Sequence, residues 1–238
     1  MQPKRKSVKG DVILFEFFQG LTADELIHML PEDQIRHSLN VEILVGKLVE
    51  WLPKPKEAQL LAYYSRAAYY HDIGKVCVPP YILNKTGALT VEERYIIRCH
   101  TIYAQDLLAY YRESGTGEIP LFLLPLTVQT AVYHHEWWNG KGYPYGLSGT
   151  DIPYVARITS ICDAYDAMVS NRPYHQAFTH EYACEEIRRG AGTQFDPLLT
   201  KVFLKHEKEV ARIVHEICQY PTDKLEIEKK RLLISKQS

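Results

Sequence analysis

Between Glu32 and Leu52 the chain carries a single stripe of inward positions. His37, Val41, Leu44 and Leu48 stand at i, i+4, i+7 and i+11, the spacing of one helix face. Pro53 and Pro55 end that pattern. Residues 57–70 predict another helix, with Leu60, Leu61, Tyr64, Ala67 and Ala68 facing inward. Upstream, Thr22-Ala23-Asp24-Glu25 reads as a helix N-cap with an acidic first turn. Thr90-Val91-Glu92-Glu93 is a capping box, followed by the stripe Ile96, Ile97, His100, Ala104, Leu107, Leu108. Residues 121–137 read as a helix that closes on His134 and His135. Pro153 opens a helix that runs through Asp163 to about Ser170, and helices follow at about 179–189 and 197–219. Glycine and proline mark loops at Ser114–Pro120 and 138–152. Period-2 alternation is almost absent. The pattern predicts an all-α chain, a compact helical bundle over 21–219 with one Gly-rich loop. An N-terminal segment (1–20), partly loose and basic over its first ten residues, and a charged tail or helix (220–238) flank it.

Composition narrows the function classes. The 238 residues carry a formal net charge of -1, so no global field draws the chain to duplex nucleic acid or an anionic membrane. The run Val12-Ile13-Leu14-Phe15 is broken by Glu16, too short for a signal or a span. A cytoplasmic location is the expectation. Five scattered cysteines without a C-x-x-C fit a reducing compartment and free thiols.

Three distant segments hold the chemistry. They are His71-Asp72-Ile73-Gly74-Lys75, His134-His135-Glu136 with Gly140-Lys141-Gly142-Tyr143-Pro144, and Asp163-Ala164-Tyr165-Asp166. Adjacent His-Asp and His-His pairs put two metal-binding heads within a few ångströms. His37 and His100 lie on the apolar stripes of their helices. One such histidine is more often a satisfied core residue than a ligand. Five inward histidines together with Asp72 and Asp163 are a different case, because burying that many polar groups separately costs a few kcal/mol each. A shared metal centre satisfies them together. The donors are N and O without thiolate, which suits iron, manganese or zinc at a hydrolytic site.

The set His37, His71-Asp72 and Asp163 resembles the HD phosphohydrolase superfamily. With His100, His134-His135-Glu136 and Gly142-Tyr143-Pro144 it resembles the HD-GYP subfamily, over roughly 33–205. Further ordered matches are Pro80-Tyr81-Ile82-Leu83-Asn84-Lys85, Ile152-Pro153-Tyr154-Val155-Ala156-Arg157, Arg172-Pro173-Tyr174 and Gly192-Thr193-Gln194-Phe195-Asp196-Pro197. The resemblance implies a helical bundle of the HD-domain type around two or three metal ions. It implies hydrolysis of cyclic di-GMP, or a related cyclic dinucleotide, to pGpG and GMP by a water activated between metals.

Carried over by position, the ligands are His37, His71, Asp72, His100, His134, His135 and Asp163, with Asp72 bridging. The implied ions are iron or manganese, with zinc, nickel or magnesium as alternatives. Asp33 stands where some members place a glutamate for a third metal; a first-turn helix acid is the other reading. Lys75 would stabilise phosphoryl charge, and Gly142, Tyr143, Arg172 and His175 would meet the substrate. Asn139 and His175 depart from the usual pattern. Two other functions compete: an HD phosphohydrolase acting on another nucleotide or phosphoester, and a silent module that binds a cyclic dinucleotide. A homodimer or a signalling-protein partner stays open.

Overall fold

The computed structural model describes residues 18–53, 61, 63–115, 118–170 and 177–225. Arg172 and His175, most of the residues from 54 to 62, and the ends 1–17 and 226–238 lie outside the described residues. Among the described residues the structure is helical, and strand pairing is confined to two isolated bridges, Asn139 with Ser148 and Ala191 with Phe195.

Helix α1 (Ala23–His28) begins on a full capping box, with Thr22 and Glu25 satisfying each other's backbone N–H groups. Pro31 precedes α2 (Glu32–Trp51), which Leu52 ends in extended backbone before Pro53. Next come α3 (Tyr64–Tyr69), a 3-10 turn (Ile73–Cys77) and α4 (Pro80–Leu83). Helices α5 (Val91–Arg98) and α6 (His100–Ser114) follow, then α7 (Leu124–Tyr133) and α8 (Tyr154–Val169). The chain continues through α9 (His180–Arg189), α10 (Pro197–Lys205) and α11 (Glu207–Ile217).

Three expected helices change shape. The 121–137 helix is shorter at both ends. Its amides run out at His134, whose N–H reaches the Thr130 carbonyl, and Trp138 then pairs with Gln194 across the fold. The helix expected over 197–219 breaks at His206, which leaves the helical region (φ -108, ψ 18) and stacks on Trp51 of α2 at 4.4 Å. The stripe from Ile96 to Leu108 spans two helices that meet at Cys99.

Two apolar clusters form the core. One gathers Val41, Leu44, Leu48, Ala67, Ile158, Ile161 and Phe203. The other gathers Leu26, Ile27, Leu39, Ile43, Tyr69, Ile73 and Leu107. Helix α2 therefore contributes to both on different faces, and its own polar residues His37 and Asn40 are buried between neighbours. Phe18, in the N-terminal segment expected to be partly loose, packs into the second cluster. Arg66 and Tyr70 tie α1 to α3 by donating to the Asp24 carboxylate.

Candidate metal centre

Local structure sets each ligand-type side chain at an element end or on a buried face. His71 and Asp72 follow α3 and enter the 3-10 turn, where the Lys75 N–H donates to the Asp72 carbonyl at 2.9 Å. Gly74 is required there. A Cβ would lie 2.0 Å from the His100 carbonyl oxygen, so only glycine lets this turn touch the start of α6. His134 and His135 stand at the C-terminal end of α7, where the chain turns and two adjacent rings can aim at one region (centroids 4.0 Å). His37 comes from α2 and Asp163 from α8.

These residues meet as two groups, each with ligand atoms within 4.8 Å of one another: His37, His71 and Asp163; and Asp72, His100, His134 and His135. The seven residues named from sequence are thus brought together. His37 Nε2 is 2.9 Å from Asp163 Oδ1 and 3.2 Å from His71 Nε2. His100 Nε2 is 3.4 Å from His134 Nε2. Asp72 stands between the groups. Its Oδ2 lies 3.1 Å from His71 Nε2, and its Oδ1 lies 3.3 Å from His100 Nε2.

A cation fits this arrangement on three observations. First, four imidazoles have their Nδ1 occupied on the far side. His71, His100 and His134 meet the carbonyls of Ala68, Ile97 and Thr130 at 2.8, 2.7 and 3.0 Å, and His37 meets Asp166 Oδ2 at 2.6 Å. A proton on each Nδ1 leaves the Nε2 lone pair facing inward, the tautomer a metal ligand needs. Second, lone pairs on facing Nε2 atoms then repel each other unless a cation lies between them. Third, Asp72 Oδ1 is buried without a hydrogen-bond partner, a costly state for a carboxylate oxygen.

The electrostatics agree with ligand-ready protonation. Burial pushes His100 down to about 3 and His135 down to about 4, so both are neutral near pH 7. His134 is also well below its ordinary value, by burial and then by His135 beside it. Burial alone would raise the Asp72 carboxyl, but Lys75 and His71 outweigh it and hold the pKa well below the usual range. Asp163 is held low in the same way, by the His37 hydrogen bond and neighbouring imidazoles against burial.

The other expected site residues fall around this centre. Lys75 Nζ donates to Asp72 Oδ2 at 2.6 Å and to Gln34 Oε1 at 2.8 Å. Asp33 lies in neither group; its carboxylate accepts from the Gln34 side chain at 3.0 Å. Tyr143 stacks on His135 (4.7 Å), with the Arg98 guanidinium 5.1 Å from its ring centroid. Gly142 is pressed against the backbone, where a Cβ would meet the Trp137 nitrogen at 2.2 Å. Asn139 is exposed, and its side-chain oxygen accepts from the Lys141 N–H within its own loop at 3.0 Å.

Two functional positions went unassigned in the sequence reading. Asp166, one turn after Asp163 on α8, is buried and also accepts from Asn40 and Ser170 while it holds His37. The i, i+3 spacing was its signal. Glu136 is buried, and its carboxylate accepts from the backbone N–H groups of Tyr145, Gly146 and Leu147 at 2.7, 3.1 and 3.0 Å, which shapes the Gly-Tyr-Pro loop.

A family model for the HD domain matches residues 19–199. The chain belongs to the HD-domain family. Its motif set is of the HD-GYP type. A cyclic di-GMP phosphodiesterase of Vibrio cholerae is 38% identical over 187 residues, covering 75% of this chain and 37% of that protein. A 3'3'-cGAMP-specific phosphodiesterase of the same organism is 36% identical over 147 residues, covering 62% of this chain and 27% of that protein. The HD domain thus spans well under half the length of either relative. The HD domain of the L. monocytogenes phosphodiesterase PgpH, solved in complex with cyclic-di-AMP, superposes with a TM-score of 0.54 at 19% identity, over 80% of this chain and 94% of that one. That likeness shows the shared helical fold. No helix among the described residues is long and apolar enough to cross a membrane.

Proposed function

We propose that this HD domain is a metal-dependent phosphodiesterase that hydrolyses cyclic di-GMP or a related cyclic dinucleotide. The placement of Asp72 carries the reading: one carboxylate presents Oδ2 to His71 and Oδ1 to His100, the geometry of a bridge between two sites. His37, His71 and Asp163 would hold one ion, and His100, His134 and His135 the other, with Asp72 shared. Iron and manganese, the ions the resemblance implies, are compatible with this all-N,O donor set. Asp33 lies outside both groups and its carboxylate accepts a hydrogen bond from Gln34, which supports a two-ion rather than a three-ion centre.

Divalent ions bound there supply a Lewis acid that lowers the pKa of an attacking water and polarises the phosphoryl oxygens. The chain's residues do the rest. The Nδ1 anchors fix four imidazoles so that their Nε2 atoms converge. Lys75 lines the cavity over His37, Asp72 and Asp163 and brings an ammonium to the place where phosphoryl charge grows. Tyr143, stacked on His135, borders the same centre. Arg172 and His175 are assigned to substrate phosphate by resemblance. Water adds to phosphorus, the bond to the leaving ribose oxygen breaks, and a linear dinucleotide results; a second cleavage gives the mononucleotide.

Metal analysis of anaerobically purified protein, with parallel assays of cyclic di-GMP, cyclic GMP-AMP and linear pGpG, tests this. About two ions per chain and turnover of at least one cyclic dinucleotide are expected. Fewer than one ion per chain, unchanged in Asp72→Ala, sinks it. Bound metal without turnover of any of the three points to another phosphoester.

A further inference from the structure

A second cavity of about 600 Å³ opens beside the metal centre. Gln34 and Lys75 form its inner wall, and Ile82, Leu83 and Ile97 give it apolar surface. The segment 85–89 and Arg94 make its outer rim. Lys75 also lines the smaller cavity of about 250 Å³ over His37, Asp72 and Asp163, so one side chain borders both spaces. The larger volume is that of an ordinary small-molecule site. No carboxylate lines it.

Its three cations are not equally available. Lys75 is held by Asp72 and Gln34, and Lys85 by Glu93 at 2.6 Å. Arg94 donates to the Leu89 carbonyl oxygen, and among the described residues it makes no ion pair. A guanidinium has five N–H donors, so most of the fork stays open to a ligand.

We propose that this cavity receives one nucleoside arm of the cyclic dinucleotide, with Arg94 reading its base. The inference rests on the phosphodiesterase reading above. A ring-shaped substrate with one phosphate at Asp72 must extend its nucleosides away from that point, and the larger cavity adjoins the one over Asp72 through their shared lining residue, Lys75. Ile82, Leu83 and Ile97 offer apolar surface to the face of a base. An arginine fork pairs with two acceptors side by side, which guanine presents at O6 and N7. Adenine presents an acceptor beside a donor. Arg94 is therefore a specificity-determining residue that favours guanine.

The test uses Arg94→Ala and, to fill the cavity mouth, Ala88→Trp. Turnover of cyclic di-GMP, cyclic di-AMP and bis(p-nitrophenyl) phosphate is measured for each, along with calorimetric binding of cyclic di-GMP to the metal-free protein. Arg94→Ala should lose tenfold or more in kcat/KM and in metal-free affinity for cyclic di-GMP. Its preference over cyclic di-AMP should collapse, and the small phosphodiester should lose at most a tenth as much. Ala88→Trp should weaken both dinucleotides together. If the wild type turns over cyclic di-GMP and both variants match it in binding and turnover, this inference fails alone. If the wild type cleaves the small phosphodiester but no cyclic dinucleotide, the substrate reading fails and the base-reading role falls with it.

Discussion

Asp166 holds His37 from behind: Asp166 Oδ2 sits 2.6 Å from His37 Nδ1, with both side chains buried. The carboxylate fixes the imidazole tautomer and turns Nε2 toward Asp163 and His71. It is itself held by Asn40 and Ser170, so the orientation passes from α2 and α8 into the centre. Replacing it with Asn keeps the shape and removes the charge. Asp166→Asn should weaken metal affinity by roughly 10- to 100-fold. Competition against a graded series of chelators measures this; an unchanged affinity would falsify the positioning role.

Asp72 is the shared element of the two groups, so its loss should be felt at both. Asp72→Ala should reduce bound metal from about two ions to fewer than one. His100→Ala should affect mainly the group that contains His134 and His135. Elemental analysis of the variants, purified side by side, separates these outcomes. Retention of both ions in Asp72→Ala would remove the bridge from the scheme.

The metal-free protein should become less stable as the medium turns acid. His100 and His135 are depressed to about 3 and about 4 in the fold, against 6.5 when unperturbed. The unfolded chain therefore binds more protons between those values. Their stabilising contribution is fully present above about pH 6.5 and is lost as pH falls, with a slope of at most about 1.4 kcal/mol per pH unit for each group. Denaturant midpoints with chelator at pH 8, 7, 6 and 5 check the sign. A flat or rising trend below pH 6.5 contradicts it.

Gly74 and Gly142 are sites of close backbone approach. A methyl group would meet the His100 carbonyl oxygen at 2.0 Å in one case and the Trp137 nitrogen at 2.2 Å in the other. Each Gly→Ala change forces backbone to move, at a cost of about 1–3 kcal/mol. Gly87→Ala, with open space around the added carbon, should cost far less and serves as the control. Thermal unfolding of the three variants makes the comparison. Equal midpoints for all three would rule out the steric account.

Much of the centre is legible in the sequence. His37 and His100 could be picked out because a histidine on an apolar helix stripe needs a buried partner. The His-Asp and His-His pairs then suggested a common one. Asp166 stands out by its i, i+3 spacing from Asp163, but its role does not, because nothing local tells a metal-facing aspartate from the one that braces its neighbour. Glu136 escaped because its three partners are backbone N–H groups nine to eleven residues away, invisible in any residue pattern. The break at His206 was hidden by an unbroken helical stripe. The chain bends there as Trp51 takes the imidazole face, a contact between residues far apart in sequence.

Periodicity, caps and proline positions determined which segments are helical, though not the breaks at Cys99 and His206, because these signals depend on forces acting within a turn or two of the chain. Residue types determined the donor chemistry. The division of seven ligands into two groups, the station of Asp72 between them and the choice of Nε2 over Nδ1 were decided only in three dimensions. Those outcomes depend on which carbonyl or carboxylate lies behind each ring, and packing between helices distant in sequence sets that.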